Sequence, residues 1–286
     1  MSSTALLRAG EQTELDTFLA AHANGSMYLR AALHNGAALN NFAVAREAGR
    51  IVGAAGQLSS GMIALQTATD AAVLVRTVLQ ASSRPLAGFL GPYAQVMAAR
   101  RDMALAASDF IKDTHEDLFA LNLELLRLPA LLQASPLACR LARRDESAQL
   151  VAWRAAFRRE ALHDVEGEGL LAASRADIAG LQIAGNLFVL EVQKQLVACC
   201  SFNARLPEIV QIGNVWTPSA LRGKGYGRAV VAGALALARR GAVQQAVLST
   251  GCHNLAAQAA YRAIGFVRVG DYASAILSPL PRRKAY

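Results

Sequence analysis

The stretch Ile212-Gly-Asn-Val-Trp-Thr-Pro-Ser-Ala-Leu-Arg-Gly-Lys-Gly-Tyr-Gly-Arg-Ala-Val-Val231 decides how the rest of the chain is read. An apolar run, Ile209 to Trp216, has the character of a strand, and Arg228 to Arg240 has that of a helix. Between them lies Arg222-Gly223-Lys224-Gly225-Tyr226-Gly227. Alternating glycines let the backbone turn tightly and approach a ligand without interference from a Cβ. The first N–H groups of a helix have no internal partner, and the helix dipole favours an anion there. Arg222, Lys224 and Arg228 surround that place with positive charge. The segment therefore reads as a phosphate cradle. It is no Walker loop, because G-x-x-x-x-G-K-[ST] is absent, and the glycine spacing does not fit the dinucleotide fingerprint. Taken alone, the same loop is equally consistent with a tight strand-to-helix turn that holds no ligand.

Working outward, the second half of the chain reads as a helix over Asp145 to Leu162, a hairpin of Asn186 to Val192 with Leu196 to Ala204, and the strand at 209–216. After the glycine loop and its helix come a strand at Ala246 to Thr250 and a helix at Asn254 to Ile264 closed by Gly265. Strands at Phe266 to Val269 and Tyr272 to Leu277 follow. The first half gives a similar order. A helix covers Gln12 to Ala23, and Asn41 to Glu47 with Ile51 to Leu58 form a hairpin. A strand at Gly61 to Thr67, a helix at Asp70 to Ala81, a strand at Pro85 to Leu90, a helix at Tyr93 to Leu105 and an extended run at Leu118 to Leu128 complete it. Two prolines within Leu128 to Pro136 suit a linker. The expectation is one fold used twice: residues 1–130, a linker at 131–137, and residues 138–286. Two unrelated domains remain the alternative.

Two motifs in the second half carry a resemblance. Arg222-x-x-Gly225-x-Gly227, after a strand and opening a helix, matches the R/Q-x-x-G-x-G/A acetyl-CoA motif of the GCN5-related N-acetyltransferase (GNAT) superfamily. Some thirty residues on, Asn254-x-x-Ala257-x-x-x-Tyr261-x-x-x-Gly265-Phe266 is similar to that family's downstream helix and following strand. The resemblance covers roughly Leu137 to Ser278, and residues 1 to about 130 resemble a diverged copy, as in tandem members. It implies an α/β fold of two tandem GNAT-like domains, each a central mixed sheet flanked by helices. It also implies an acetyl-CoA-dependent N-acetyltransferase acting on a primary amine by direct attack in a ternary complex. Acetyl-CoA is then the co-substrate, and no metal is expected.

The resemblance assigns roles residue by residue. The cofactor-binding set is Val215, Trp216, Thr217, Arg222, Gly223, Lys224, Gly225, Tyr226, Gly227, Arg228, Asn254 and Ala257. Pantetheine is expected to pair beside Val215 to Thr217, with Pro218 ending that ladder because it lacks an N–H. A backbone N–H near Val215 is expected to stabilise the developing oxyanion. Tyr261 matches the tyrosine that serves the departing thiolate, against the plainer reading of a packed aromatic. The base is harder to find, because the strand at 209–216 carries no carboxylate and has Gln211 where an acid would suit. Glu208, just before it, is the candidate, with a surface carboxylate or an ordered water as alternatives. Cys252-His253 invites a nucleophile reading, but adjacent residues rarely supply an oriented base, and ligand spacing for a metal is lacking. Cys199 and Cys200, within a strand, are expected on opposite faces of the sheet. In the first half the equivalent place, Gln66 to Ala72, has no glycine and carries Asp70, so acetyl-CoA is not expected there.

Composition agrees with a folded protein. The chain has 286 residues, 53% hydrophobic and 17% charged, which excludes a disordered chain. Its longest uncharged apolar stretch, Ala229 to Ala238, is too short to span a membrane, and Met1 to Leu15 shows no secretory pattern. Four cysteines without C-x-x-C spacing make no disulfide framework, so a cytoplasmic setting is expected. Residues 1–136 hold 10 Lys/Arg against 11 Asp/Glu, and residues 137–286 hold 19 against 10. The basic half suits a phosphorylated ligand, an acidic partner or nucleic acid. No helix-turn-helix, zinc or aromatic-platform motif supports the last. The partners expected are acetyl-CoA and an unidentified amine, with a homodimer left open. An acyl-CoA sensor or scaffold without turnover is the alternative function, kept alive by the missing strand carboxylate.

Overall fold

The computed structural model describes residues 3–133 and 137–278; part of the linker expected at 131–137 lies outside them. The first repeat runs β1 (Ser3–Leu6), α1 (Gln12–Ala21), α2 (Ala23–His34), β2 (Phe42–Glu47), β3 (Arg50–Gln57), β4 (Met62–Thr67), α3 (Ala71–Ala81), β5 (Gly88–Pro92), α4 (Tyr93–Asp102) and β6 (Phe110–Asn122). The second runs β7 (Leu137–Leu141), α5 (Ser147–Leu162), α6 (Glu168–Ile183), β8 (Leu187–Val192), β9 (Gln195–Arg205), β10 (Ile209–Trp216), α7 (Tyr226–Arg240), β11 (Gln245–Gly251), α8 (Leu255–Ala263) and β12 (Val267–Leu277). The two orders are identical. Strands β1 to β4 pair antiparallel in sequence and β4 then pairs parallel with β5. Strands β7 to β10 do the same, and β10 pairs parallel with β11. This is the mixed sheet flanked by helices, built twice.

The compact units do not follow chain order. One comprises the residues up to Leu118 together with those from Val269 onward, and the other Phe119–Arg268. In the first unit β12 completes the sheet by pairing antiparallel with β5, Tyr272 opposite Pro92 and Ile276 opposite Gly88. In the second, the end of β6 supplies Phe119 and Leu121 to the core, followed by Leu123 and Leu126.

In the second unit the core fills both faces of the sheet. On one face Phe188, Leu190, Phe202, Val210 and Ile212 meet α7. That helix is rich in small residues because it lies close to the sheet: a Cβ on Gly233 would stand 2.4 Å from Cys139 Cβ. On the other face Leu187, Val189 and Cys199 pack with Leu150 of α5 and Ile178 of α6. Cys199 and Cys200 thus fall on opposite faces, as strand alternation requires. Burial pushes the Cys199 thiol up to about 12, so it stays protonated and inert. No helix of the described residues is long and apolar enough to cross a membrane.

Several elements differ from the sequence reading: strands β1 and β7 are additional to it, and β12 is one strand where two were expected. Helix α6 went unassigned, because Gly169 and Gly180 interrupt its pattern, yet Leu170, Ser174 and Ile178 recur every four residues on its buried side. Strand β6 begins at Phe110, well before Leu118. Its Lys112, Asp113 and Glu116 read as loop but are neutralised within the unit: Lys112 pairs with Glu116 at 3.0 Å, and Asp113 with Arg100 at 2.6 Å. The single helix expected at 12–23 is two, α1 and α2.

A chain beginning at residue 137 lacks Phe119, Leu121 and Leu123, each at most 3% exposed in the core. Each such side chain contributes about 1.5–3 kcal/mol by burial. Their combined loss approaches the whole stability of a domain, roughly 5–15 kcal/mol. Residues 137–286 expressed alone should therefore lack the cooperative thermal unfolding of the full chain, as differential scanning calorimetry would read.

Candidate active site

The site begins with a break in β10. Gly213 faces β9 so closely that a Cβ there would lie 1.9 Å from Asn203 Nδ2, so any larger residue would displace the Asn203 amide. The next residue, Asn214, has φ +51, the left-handed region that Asn tolerates better than most. The register with β9 shifts across this point, and β11 pairs with β10 only over Ile209–Gln211. Beyond Gln211 the two parallel strands part. The backbone of Val215 to Thr217 is left on the open side of that gap, and Pro218, without an N–H, follows it.

The loop after Pro218 carries two left-handed glycines, Gly223 at φ +79 and Gly225 at φ +78, and Gly225 sits at the N-cap of α7. A Cβ on Gly227 would have ordinary contacts only, 3.5 Å from Thr217 Oγ1. The fold therefore does not demand glycine at 227; a ligand approaching the backbone would. Arg222 is held rather than free: Nε donates to the Thr217 carbonyl at 3.0 Å and Nη2 to Glu160 at 2.8 Å, with the guanidinium 4.8 Å over the Trp216 ring. Arg228 differs, because its Nε is buried and has no partner among the described residues. A buried charged donor left unpaired is costly, and an anion at the α7 N-terminus would satisfy it.

The third wall is α8. Asn254 caps it by accepting from Ala257 N–H at 3.1 Å. Gln258, almost fully buried, donates to the Cys252 carbonyl at 2.9 Å and fixes the turn after β11. The alanines at 256, 257, 259 and 260 keep this wall low. Tyr261 lies at its end, with its ring edge-on to Phe266 at 6.1 Å. Tyr261 lines the cavity and is 8% exposed. Burial pushes the Tyr261 pKa well above the usual tyrosine range, so it remains an O–H donor at physiological pH.

These walls enclose one cavity of about 840 Å³. It is lined by Val215, Trp216 and Thr217, by every residue from Arg222 to Arg228, and by Asn254, Ala257 and Tyr261, so the expected cofactor residues and Tyr261 meet in one place. Sequence reasoning missed the α5 contribution, Phe157, Glu160 and Ala161. Phe157 meets Trp216 edge-on at 6.2 Å.

Glu208, the expected candidate base, stands just before the start of β10. Its carbonyl accepts from Gln244 and Gln245 N–H, where β10 and β11 begin, and it does not line the cavity. The length of β10 separates it from Trp216 by roughly 25 Å at about 3.3 Å per residue. The carboxylate that does line the cavity, Glu160, is paired with Arg222. Cys252 and His253 lie outside the lining. Among the described residues no group of three or more His, Cys, Asp or Glu is placed to hold a metal ion.

The first unit closes the equivalent place with its own side chains. Asp70 caps α3, accepting from Ala72 N–H at 3.0 Å and Val73 N–H at 3.2 Å, so a carboxylate holds the amides that an anion would need. At the end of β4, Gln95 Oε1 accepts from Thr67 N–H at 2.8 Å.

The second unit is thus a mixed sheet whose parallel strands part beside the N-terminus of a helix that opens from a glycine loop. Residues 150–266 match the model of the acetyltransferase (GNAT) family, and the chain carries a domain of that family. No curated protein matches the chain by sequence. Solved structures share its fold along nearly the whole length. A GCN5-related N-acetyltransferase from Sphaerobacter thermophilus is 12% identical, with 98% of this chain and 97% of that one covered and a TM-score of 0.59. A tandem GNAT protein from the clavulanic acid biosynthesis pathway is 13% identical, with 98% and 100% covered and a TM-score of 0.55. A GNAT-family acetyltransferase from Colwellia psychrerythraea is 15% identical, with 96% and 100% covered and a TM-score of 0.53.

Gly227→Ala should leave thermal stability near wild type, whereas Gly227→Glu adds bulk and negative charge beside the α7 N-terminus. For Gly227→Glu, calorimetry should show CoA affinity reduced at least ~10-fold, about 1.4 kcal/mol. One equivalent of CoA should bind per chain, because Asp70 occupies the corresponding amides of the first unit.

Proposed function

We propose that this chain is an N-acetyltransferase that moves an acetyl group from acetyl-CoA to a primary amine by direct attack within a ternary complex. The observation that carries the reading is the convergence, in one cavity, of the glycine-loop residues, the unpartnered Arg228 Nε and Tyr261. The residues present fit the co-substrate. The amides of Gly225 to Arg228 and the Arg228 guanidinium suit its pyrophosphate, with Lys224 exposed at the mouth. The open backbone of Val215 to Thr217 suits the pantetheine amides.

Acetyl-CoA supplies an activated carbonyl and a thiolate leaving group. The remaining services fall to the chain. An N–H at Val215, in the gap between the strands, is the donor available to negative charge developing on the carbonyl oxygen. As the amine nitrogen bonds to the carbonyl carbon and the C–S bond breaks, the Tyr261 O–H gives its proton to sulfur and regains one from solvent. The amine proton passes to water, since Glu160 is committed to Arg222 and Glu208 is remote. The first unit, with its anion position filled by Asp70, is a degenerate copy that contributes no second acetyl-CoA site.

Thiol release from acetyl-CoA across a panel of amines, run with CoA thermal shifts, tests the activity. Stabilisation by CoA without turnover on any amine would leave a binding protein instead. Within the active reading, Tyr261→Phe removes one O–H and almost no volume. Its acetyl-CoA Kd should hold while kcat falls by roughly 10²-fold, the usual range for a lost proton donor. An unaltered kcat, measured where chemistry limits the rate, would reduce Tyr261 to a packing role.

A further inference from the structure

The break in β10 is tied to helices α5 and α6. Asn214 spends its whole side-chain amide on this link. Its Nδ2 donates to Ser201 Oγ at 2.7 Å and to Asn203 Oδ1 at 2.9 Å, and its Oδ1 accepts from Arg154 Nη1 of α5. Arg154 is largely buried, at 12% side-chain exposure, and its Nε donates to Asp177 Oδ2 of α6 at 2.7 Å. The same Asp177 oxygen accepts from Arg158 Nη1 at 2.9 Å. Arg154 also lies 5.2 Å over the ring of Phe157, which lines the cavity.

A bend that needed only a left-handed residue would need nothing from the side chain, and glycine would serve it best. Here a buried guanidinium is divided between two acceptors on different elements, and one of them is the bend itself. Only arginine has donors in a fork that reaches both; lysine offers a single nitrogen. We propose that Asn214 is a positioning residue for acetyl-CoA binding, held by Arg154 and through it by Asp177. The link fixes the direction in which β10 leaves the sheet, and with it the placement of the Val215 to Thr217 backbone that the ligand must pair with. The inference rests on the acetyl-CoA reading of the cavity for its ligand, though not for its geometry.

Asn214→Gly keeps the left-handed backbone accessible while deleting the amide. Arg154→Met keeps the stem of the side chain while deleting its donors. In the full chain, each should weaken acetyl-CoA binding at least ~10-fold by calorimetry. Each should also speed amide hydrogen exchange over residues 213–217 while leaving exchange in α7 unchanged. The double variant should bind no more weakly than the worse single one, because both changes remove one interaction. Wild-type affinity and wild-type exchange in Asn214→Gly would overturn the proposal. If Arg154→Met does not fold, Asn214→Gly decides alone. If wild-type protein binds no acetyl-CoA, the cavity reading fails, and the exchange comparison still judges the link: faster exchange over 213–217 supports it and unchanged exchange overturns it.

Discussion

Two parallel strands that stop pairing set the terms for everything else in the second unit. Strands β10 and β11 run together over Ile209–Gln211 and then part where Asn214 turns left-handed. A sheet interior normally satisfies its own backbone groups, and unpaired ones are costly when buried. The gap leaves such groups at Val215 to Thr217 available for a ligand to complete. The glycine loop, the α7 N-terminus and the alanine face of α8 then have a common place to converge, and the cavity follows from the break rather than from any single wall.

The same architecture treated differently explains why one unit of the repeat has a candidate site and the other does not. Both units run a strand into a helix after the parallel pair begins. In the second, the helix opens at Gly225, and the polar groups nearby are cations, one of them unpartnered. In the first, Asp70 caps α3 and Gln95 occupies the Thr67 N–H. Side-chain capping of a helix and anion binding at its N-terminus use the same orphan amides, so one excludes the other. The first unit is stabilised by what the second leaves open.

Part of the charge in the second unit is internal. The basic excess that suggested phosphate or nucleic acid is partly spent on ion pairs within the unit: Arg140 with Glu146 and Glu191, Arg158 with Asp164, Arg222 with Glu160. Net charge therefore overstates the cations available to a ligand. At the cavity they reduce to Arg228 and Lys224, with Arg222 stacked on Trp216 as part of the wall.

The sequence by itself determined the strand–glycine loop–helix unit, because Arg222 to Gly227 is a local device whose backbone requirements are written in residue type. It determined Asn254 and Tyr261 on one helix, because their spacing is fixed by the helical period. It also determined part of the repeated order of elements, through periodicity and turn residues, but not β1, β7 or α6. Tertiary structure alone decided three things. Long-range pairing put β12 beside β5 and the end of β6 into the second core, which no local pattern encodes. The direction of β10 put Glu208 at one end of the strand and the cavity at the other, a distinction that adjacency in sequence conceals. Finally, Arg222 and Arg228 look alike as residues of one motif, but Glu160, some sixty positions earlier, takes the first and leaves the second unpaired. Which cation meets the ligand is settled by which carboxylate folds against it, and that is a property of packing rather than of the motif.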